Sequence, residues 1–131
     1  LIFSCCTQFA GVLTCEIMQT SKSQLFEMQA ELCGLMANAK RLMILDYLSR
    51  QDEANVGAIA EALDIPITVV SQNLRLMRDG NIVVSRKDGH CVWYRLKHPQ
   101  LMVGCHAVRD VLHAELKERG QMAEFIEEQS E

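Results

Sequence analysis

Residues 69–96 read VVSQNLRLMRDGNIVVSRKDGHCVWYRL, and the period of their apolar side chains changes part-way along this stretch. The first part is helical, because Val70, Leu74 and Met77 fall at positions i, i+4 and i+7 of one face. Gly80 is expected to end the helix, and after it the apolar period becomes two. The stretch therefore predicts a helix that is followed directly by β-structure.

Two runs, 82–86 and 90–96, form the predicted β-structure, and both are rich in β-branched and aromatic residues. Asp88 and Gly89 lie between them, and this dipeptide favours the two positive-φ positions of a tight hairpin turn. Alternation along the second run places Val92, Tyr94 and Leu96 on a core face and Cys91, Trp93 and Arg95 on the other. We therefore expect a β-hairpin with one buried face.

Helical spacing of apolar residues also occurs on both sides of this stretch. It predicts a first helix from residue 24, a second after a cap at Asn38, a third after a cap at Asn55, and a last helix that opens at Pro99. The second helix is expected to bury Leu42, Leu45 and Leu48. The apolar stripe of the first helix consists of Leu25, Met28, Leu32, Leu35 and Met36. The stripe of the last helix consists of Leu101, Cys105, Val108, Leu112 and Leu116. The order is α-α-α-α-β-β-α, a mainly α fold with a β-hairpin (α+β).

Basic residues are concentrated in one part of a chain that is acidic as a whole. The 131 residues carry 13 Lys and Arg against 17 Asp and Glu, a formal net charge of −4. Residues 66–98 hold six bases and two acids, whereas 1–65 hold four bases and eight acids, and 99–131 hold three and seven. The net charge alone would disfavour a nucleic-acid partner, but a local basic region is what phosphate contacts require.

The fourth helix, predicted over 67–79, has a polar face opposite its apolar stripe. This face consists of Thr68, Ser71, Gln72 and Arg75. Hydroxyl and amide groups can bond base edges in the major groove of DNA, and arginine can reach guanine or phosphate. A short helix, a break, a second helix of this kind and a hairpin are the elements of a winged helix-turn-helix.

The hairpin of that fold, the wing, would lie beside the DNA backbone. Its predicted tip carries Arg86, Lys87 and His90, where positive charge gains from the release of counterions. Taken alone, the polar helix face is more typical of a solvated surface than of a DNA-binding one, and a basic tip is typical of a protected sheet edge. Because both occur together, we interpret residues 67–90 as a double-stranded DNA-binding element.

Two other functions compete with DNA binding as interpretations of the sequence. A winged helix can act as a protein-interaction module without binding DNA, since a fold does not dictate a function. Enzymatic function has little support, because the chain has no glycine-rich phosphate loop and no nucleophile elbow. Cys105 and His106 are adjacent on a helix and point about 100° apart, so they cannot act as nucleophile and base within one chain. We expect no catalysis.

Residues 25–118 resemble the ArsR family of bacterial winged-helix repressors. The resemblance rests on ANAKRLMILDYL at 37–48 and on VGAIAEALDIPITVVSQNLRLMRDGNIVVSRKDGHCVWYRL at 56–96. The positions that match the family pattern are Ala37, Asn38, Arg41, Ser71, Gln72, Leu74 and Tyr94. Two positions depart from it: Asn73 replaces the usual histidine of the recognition helix, and Pro66 stands where a capping serine is common. Asn73 is nevertheless expected to contact DNA.

The resemblance implies a homodimer that forms through the first and last helices, binds an inverted repeat, and blocks transcription until an inducer lowers its affinity. Members of the family often sense metals or oxidants through Cys and His on different helices. Here Cys33 lies on the first helix, and Cys105 and His106 lie on the last, so these residues are candidates for binding a soft metal or metalloid ion, and the two cysteines for forming a disulfide. Cys91 on the wing is a further candidate.

Structural roles compete with the sensor hypothesis. Cys33 and Cys105 lie on or beside apolar stripes, where a free cysteine often packs as a small hydrophobe. The zinc patterns of the family are missing: the last helix opens with His98-Pro99-Gln100, and residues 56–63 contain no cysteine. A thiol-based redox or metalloid switch is therefore preferred to a zinc sensor, with no cofactor assigned as certain.

Three segments follow from these patterns. Residues 24–119 form the winged-helix DNA-binding and dimerisation domain, and 120–131 form an acidic tail. Residues 1–23 are interpreted as an N-terminal extension that is disordered or arises from a mis-assigned start, with an extra interface helix as the alternative for its first part. No basic region precedes the first apolar residues, and no apolar run reaches the length of a membrane span. We expect a cytoplasmic protein whose cysteines are reduced.

Overall fold

The computed structural model describes residues 21–120, and most of them lie in helices. Residues 21–36 are helical (α1). The remaining elements are α2 (Ala39–Arg50), β1 (Ala54–Asn55), α3 (Val56–Leu63), α4 (Ile67–Asp79), β2 (Val83–Asp88), β3 (Cys91–Leu96) and α5 (Leu101–Glu118). The predicted order of elements is confirmed, with the short strand β1 added between α2 and α3. No helix within 21–120 is both long and apolar enough to cross a membrane.

The chain divides into two compact units at Ala39. In the first unit, α1 includes residues 21–23, so the helix starts before the predicted residue 24. The predicted apolar stripe of α1 is only partly buried, since Leu25 and Met28 are exposed and Met36 is buried. The rest of the predicted extension and the acidic tail from residue 121 lie outside the described residues.

Local capping explains where α3 and α4 begin and end. The side-chain oxygen of Asn55 accepts a hydrogen bond from the Ala58 N–H at 2.8 Å, which confirms the predicted cap of α3. Asp64 ends α3 in a left-handed conformation, with φ of 51°. Pro66 then precedes α4, and its carbonyl accepts from the N–H groups of Val69 and Val70 at 2.9 and 3.1 Å. The first turn of α4 is therefore closed without a capping side chain.

The end of α4 differs in detail from the prediction. The helix ends at Asp79, as predicted, but Gly80 has φ of −81° and the left-handed residue is Asn81, with φ of 60°. Asparagine tolerates this conformation better than most residues do. Glycine is therefore not required at 80 by its backbone angle.

Three antiparallel strands form the sheet in the order β1-β3-β2. Val83 pairs with Leu96, and Asp88 pairs with Cys91, so Gly89 and His90 are the two central residues of the turn. The predicted turn centre, Asp88-Gly89, is wrong by one residue. Of the two central residues only Gly89 has positive φ, at 61°, which is the pattern of a type II′ turn and not of the turn with two positive-φ positions that the sequence predicts.

The hydrophobic core combines residues from the helices and from one face of the sheet. Val70, Leu74 and Met77 of α4 have no exposed surface, which confirms the predicted stripe. Ile44, Leu45 and Leu48 are buried from α2, whereas Leu42 is 36% exposed, so its predicted burial is wrong. The other core residues are Ala54, Ile59, Ile65, Ile82, Val83, Tyr94, Leu96 and Met102.

The last helix is tied to α2 through one carboxylate. Asp46 accepts hydrogen bonds from Arg109 at 2.9 Å and from His106 at 3.3 Å, and it also pairs with Arg50 within α2. Burial by itself would raise the pKa of Asp46, but the hydrogen bonds from Arg109 and His106 hold this pKa below its ordinary value. Asp46 therefore stays ionised while it fixes α5 to α2.

Only part of the predicted α5 stripe is covered. Leu101, Cys105 and Leu116 are half-buried, but Val108 and Leu112 are 66% and 54% exposed. Val111 is exposed as well, and it lies on the same side of the helix as Val108 and Leu112. An apolar sector of α5 therefore lies at the surface, next to the sector that packs on the core.

Candidate nucleic-acid interface

The predicted recognition face of α4 is at the surface. Thr68, Gln72 and Arg75 are exposed, and Ser71 is half-buried. They project on the side opposite the buried stripe of α4, whose burial fixes the rotation of the helix about its axis. Of the described residues, none forms an ion pair with Arg75. Hydroxyl, amide and guanidinium groups are therefore presented together, with the guanidinium available to an external acceptor.

Asn73 differs from its neighbours on α4 because its amide is already engaged within the protein. Its nitrogen donates to the carbonyl of Val69 at 2.8 Å, and its oxygen accepts from Arg41 of α2 at 3.5 Å. The side chain is half-buried. These contacts link the recognition helix to α2. The predicted contact of Asn73 with a base would require its amide to exchange partners.

The tip of the wing carries the predicted basic residues, but they are not equivalent. Lys87 and His90 are exposed, and across residues 21–120 neither has an ion-pair partner. Lys87 pairs with Val92 across the hairpin, so its side chain leaves the sheet on the same side as Tyr94. Among the described residues, Lys87 is thus a cation without an ion-pair partner at the end of the wing.

Arg86 lies on the opposite side of the sheet and is bound within the protein. Its Nε donates to Glu53 Oε2 at 2.8 Å, and a second guanidinium nitrogen donates to Glu53 Oε1. The guanidinium also lies 5.7 Å from the ring centre of Trp93 and 3.7 Å from a carboxylate oxygen of Asp88. The predicted contact of Arg86 with DNA would require Glu53 to release it.

The pairing of Glu53 with Arg86 is reflected in the acidity of both groups. The hydrogen bonds from Arg86 hold the pKa of the Glu53 carboxyl below its ordinary value. The same contact raises the pKa of Arg86. Both shifts favour the charged form of each side chain, so Glu53 and Arg86 form an ion pair at neutral pH.

Glu53 is a site residue that sequence reasoning did not identify. It directly precedes β1, and β1 pairs Ala54 with Tyr94 and Asn55 with Trp93. This pairing brings a residue from the loop after α2 to the outer face of the wing. A two-residue strand has no period, so the sequence offered no signal for it.

The candidate sensor residues are accessible to different degrees. Cys33 and Cys91 are exposed, and Cys105 is half-buried, all as free thiols. His106 donates a hydrogen bond to Asp46 through Nε2, so one nitrogen of its ring is engaged. Within the part of the chain that the structure describes, no cluster of three or more His, Cys, Asp or Glu side chains is arranged to hold a metal ion.

Comparisons with known proteins place this geometry among transcriptional regulators. Residues 36–86 match the model of a helix-turn-helix domain. The nodulation protein NolR of Rhizobium meliloti is 31% identical over 98 residues, which are 75% of this chain and 80% of NolR.

Two solved structures extend the similarity to the fold. The homodimeric winged helix-turn-helix DNA-binding domain of Mb0332 from Mycobacterium bovis, a possible ArsR-family regulator, has a TM-score of 0.62 at 32% identity, over 71% of this chain and 89% of that one. The transcriptional repressor PagR of Bacillus anthracis has a TM-score of 0.54 at 32% identity, over 60% of this chain and 88% of PagR. With the helix-turn-helix, the hairpin and the sequence motifs in agreement, the chain belongs to the ArsR family of winged helix-turn-helix transcriptional regulators.

Proposed function

We propose that this protein is a homodimeric, cytoplasmic transcriptional repressor that inserts α4 into the major groove of an inverted-repeat operator. The observation that carries the proposal is the outward polar face of α4, which a fully buried stripe on the same helix holds in place. On this face Thr68, Gln72 and Arg75 are exposed and Ser71 is half-buried. A helix fits the width of the major groove, and these groups can bond base edges there. Arg75 is the residue best suited to guanine, because its fork can bind two acceptors at once.

The wing adds a contact that is independent of sequence. Lys87 is an exposed cation at the hairpin end and has no ion-pair partner within residues 21–120, and a phosphate contact there would release counterions from the DNA. His90 lies beside it in the turn. Base contacts from α4 would then supply specificity, and the wing would supply affinity.

A dimer is supported by apolar surface at both ends of the described chain. In α1, Leu25, Phe26 and Met28 are 58–65% exposed, and in α5 Val103, Val108, Val111 and Leu112 are 54–70% exposed. Large apolar patches of this kind are typical of protein interfaces. Two-fold pairing of two copies would cover them and would present two recognition helices to the two halves of an inverted repeat.

Replacing Lys87 with Ala is expected to weaken binding to every duplex by a similar factor. The slope of log K against log salt concentration should flatten by about 0.9 for each bound protomer, because one phosphate contact is lost. The measurement is fluorescence anisotropy at several salt concentrations, with a duplex selected from a randomised pool and a scrambled duplex. Lys97→Ala is the matched control, since Lys97 lies at the other end of the hairpin and contacts Asn81. If wild-type protein binds neither duplex at low salt, the protein-interaction alternative replaces this proposal.

We further infer that an inducer acts through the cysteines, as a thiol-reactive oxidant or a soft metal or metalloid ion. Two of the three described thiols are exposed, and thiolates are the preferred ligands of soft metals. Cys33 and Cys105 are the favoured residues, with Cys91 as the third. His106 is a further candidate ligand beside Cys105.

Oxidation or arsenite is expected to lower duplex affinity at least fivefold, the lower end of typical coupling between two ligands. Affinity is measured on reduced protein, on diamide-treated protein, and with arsenite, cadmium or zinc. Cys33→Ser and Cys105→Ser should each lose the response, whereas Cys91→Ser serves as the comparison for the wing. Equal affinity under all conditions would remove the thiol switch and leave DNA binding unaffected.

A further inference from the structure

The outer face of the wing contains a charge cluster that the proposed function does not use. Arg86 and Arg95 lie there with Glu53 and Asp88, around the ring of Trp93. Two bases and two acids leave this face without net charge. Lys87 leaves the sheet on the opposite side and has no acidic partner among residues 21–120.

Glu53 binds the guanidinium of Arg86 with the geometry that a phosphate would also use. Both carboxylate oxygens accept hydrogen bonds from Arg86, so the two parallel donors of the fork are filled. Arginine binds carboxylate and phosphate through the same planar geometry, so a DNA phosphate would compete with Glu53 for this edge of the guanidinium. Glu53 would have to release this edge of the guanidinium before a phosphate could bind it.

Two further contacts favour the internal ligand over an external one. The ring centre of Trp93 lies 5.7 Å from the guanidinium carbon of Arg86, and Asp88 adds a second carboxylate at 3.7 Å. Glu53 is also part of the same molecule, so its contact carries no cost of association. We propose that Glu53 withholds Arg86 from the DNA backbone, so that each wing engages phosphate through Lys87 and not through Arg86.

This inference rests on the proposed DNA-binding function and assigns a role to a residue outside the recognition helix. Glu53 is a positioning residue that limits the electrostatic part of the affinity. Its removal would free one more cation in each wing for a phosphate contact. The consequence is a change in salt dependence, which a purely structural ion pair on the surface would not produce.

Glu53→Gln is expected to steepen the slope of log K against log salt by about 0.9 for each protomer. If the variant and the wild type bind equally at 1 M salt, the steeper slope corresponds to roughly eightfold tighter binding of the variant for each protomer at 0.1 M salt. The gain should be the same on specific and scrambled duplexes. Arg86→Ala alone should leave the slope at the wild-type value. The double variant Glu53→Gln/Arg86→Ala should return to the wild-type slope, because the gain passes through Arg86.

Two outcomes of this cycle would overturn the proposal. If the gain of Glu53→Gln persists without Arg86, Glu53 acts only as a charge that repels DNA. If Arg86→Ala flattens the slope in the wild-type background, Arg86 already contacts phosphate, and this measurement decides the question even where Glu53→Gln fails to fold. Glu61→Gln, an exposed acid on α3, controls for the loss of one negative charge and should not change the slope.

Failure of this inference can be distinguished from failure of the proposed function. Wild-type protein that binds no duplex at low salt contradicts DNA binding altogether. Protein that binds, and whose salt slope responds to Lys87→Ala but not to Glu53→Gln, retains the proposed function and contradicts only the role of Glu53.

Discussion

Replacing Leu74 with Ala is expected to lower the free energy of unfolding by about 3 kcal/mol, within the usual range of 2–5 kcal/mol for a buried leucine. Leu74 has no exposed surface and lies in the middle of the buried stripe of α4, between Val70 and Met77. Its truncation removes apolar contacts and leaves a cavity that the neighbouring helices can only partly fill. Domains of this size are stable by about 5–15 kcal/mol in total, so the loss is large.

Urea denaturation followed by circular dichroism measures this change. Leu76→Ala is the matched control, because Leu76 is on the same helix and is 49% exposed. It should cost much less than the Leu74 variant, since it loses less buried area and leaves no cavity. If both variants lower the free energy of unfolding equally, α4 does not have the rotation about its axis that buries Leu74 and exposes Leu76. The outward position of the recognition face would then be contradicted as well.

Replacing Arg75 with Ala is expected to weaken binding to the preferred operator by about 10- to 100-fold for each half-site, which corresponds to about 1–3 kcal/mol. Arg75 is exposed on the outer face of α4 and is free of ion pairs with the described residues, so its fork can pair with one guanine. Discrimination between the selected duplex and duplexes altered at single positions should also fall, at one base pair of each half-site above all.

Arg75→Lys separates charge from geometry in this prediction. Lysine keeps the positive charge but lacks the planar fork, so binding to scrambled duplexes should be retained while base discrimination is reduced. Anisotropy with a set of single-base operator variants provides the measurement. An Arg75→Ala protein that binds all duplexes with unchanged relative affinities would assign base recognition to other residues of the face.

The regular elements of the fold could be predicted from residues 67–79 and 90–96 because their signals are local. The boundaries of α4 agree with the prediction at both ends, since Pro66 can start a helix and the apolar stripe runs to Met77. Tyr94 and Leu96 are buried as their alternation indicates, and Asn55 caps α3. Each of these features depends on neighbours within four residues along the chain.

The details that differ depend on residues far apart in the chain. The turn centre moved by one residue because the register of Val83 with Leu96 sets where the strands end, and a period-two pattern does not specify register across two strands. Leu42 is exposed because the rotation of α2 is decided by what packs against it. Strand β1 exists only through its pairing with β3.

The sequence by itself determined the winged helix-turn-helix order, the polar face of α4 and the basic character of the hairpin, since periodicity and turn chemistry are properties of contiguous residues. Only the tertiary structure decided which of these bases are available to DNA. Lys87 and Arg86 are neighbours in sequence, but the side chains of adjacent strand residues project from opposite faces of the sheet. Glu53, which binds Arg86, lies 33 positions away from it in the chain. Ion pairing depends on distance in space, so the charge pattern could not reveal that one of two adjacent cations is already neutralised.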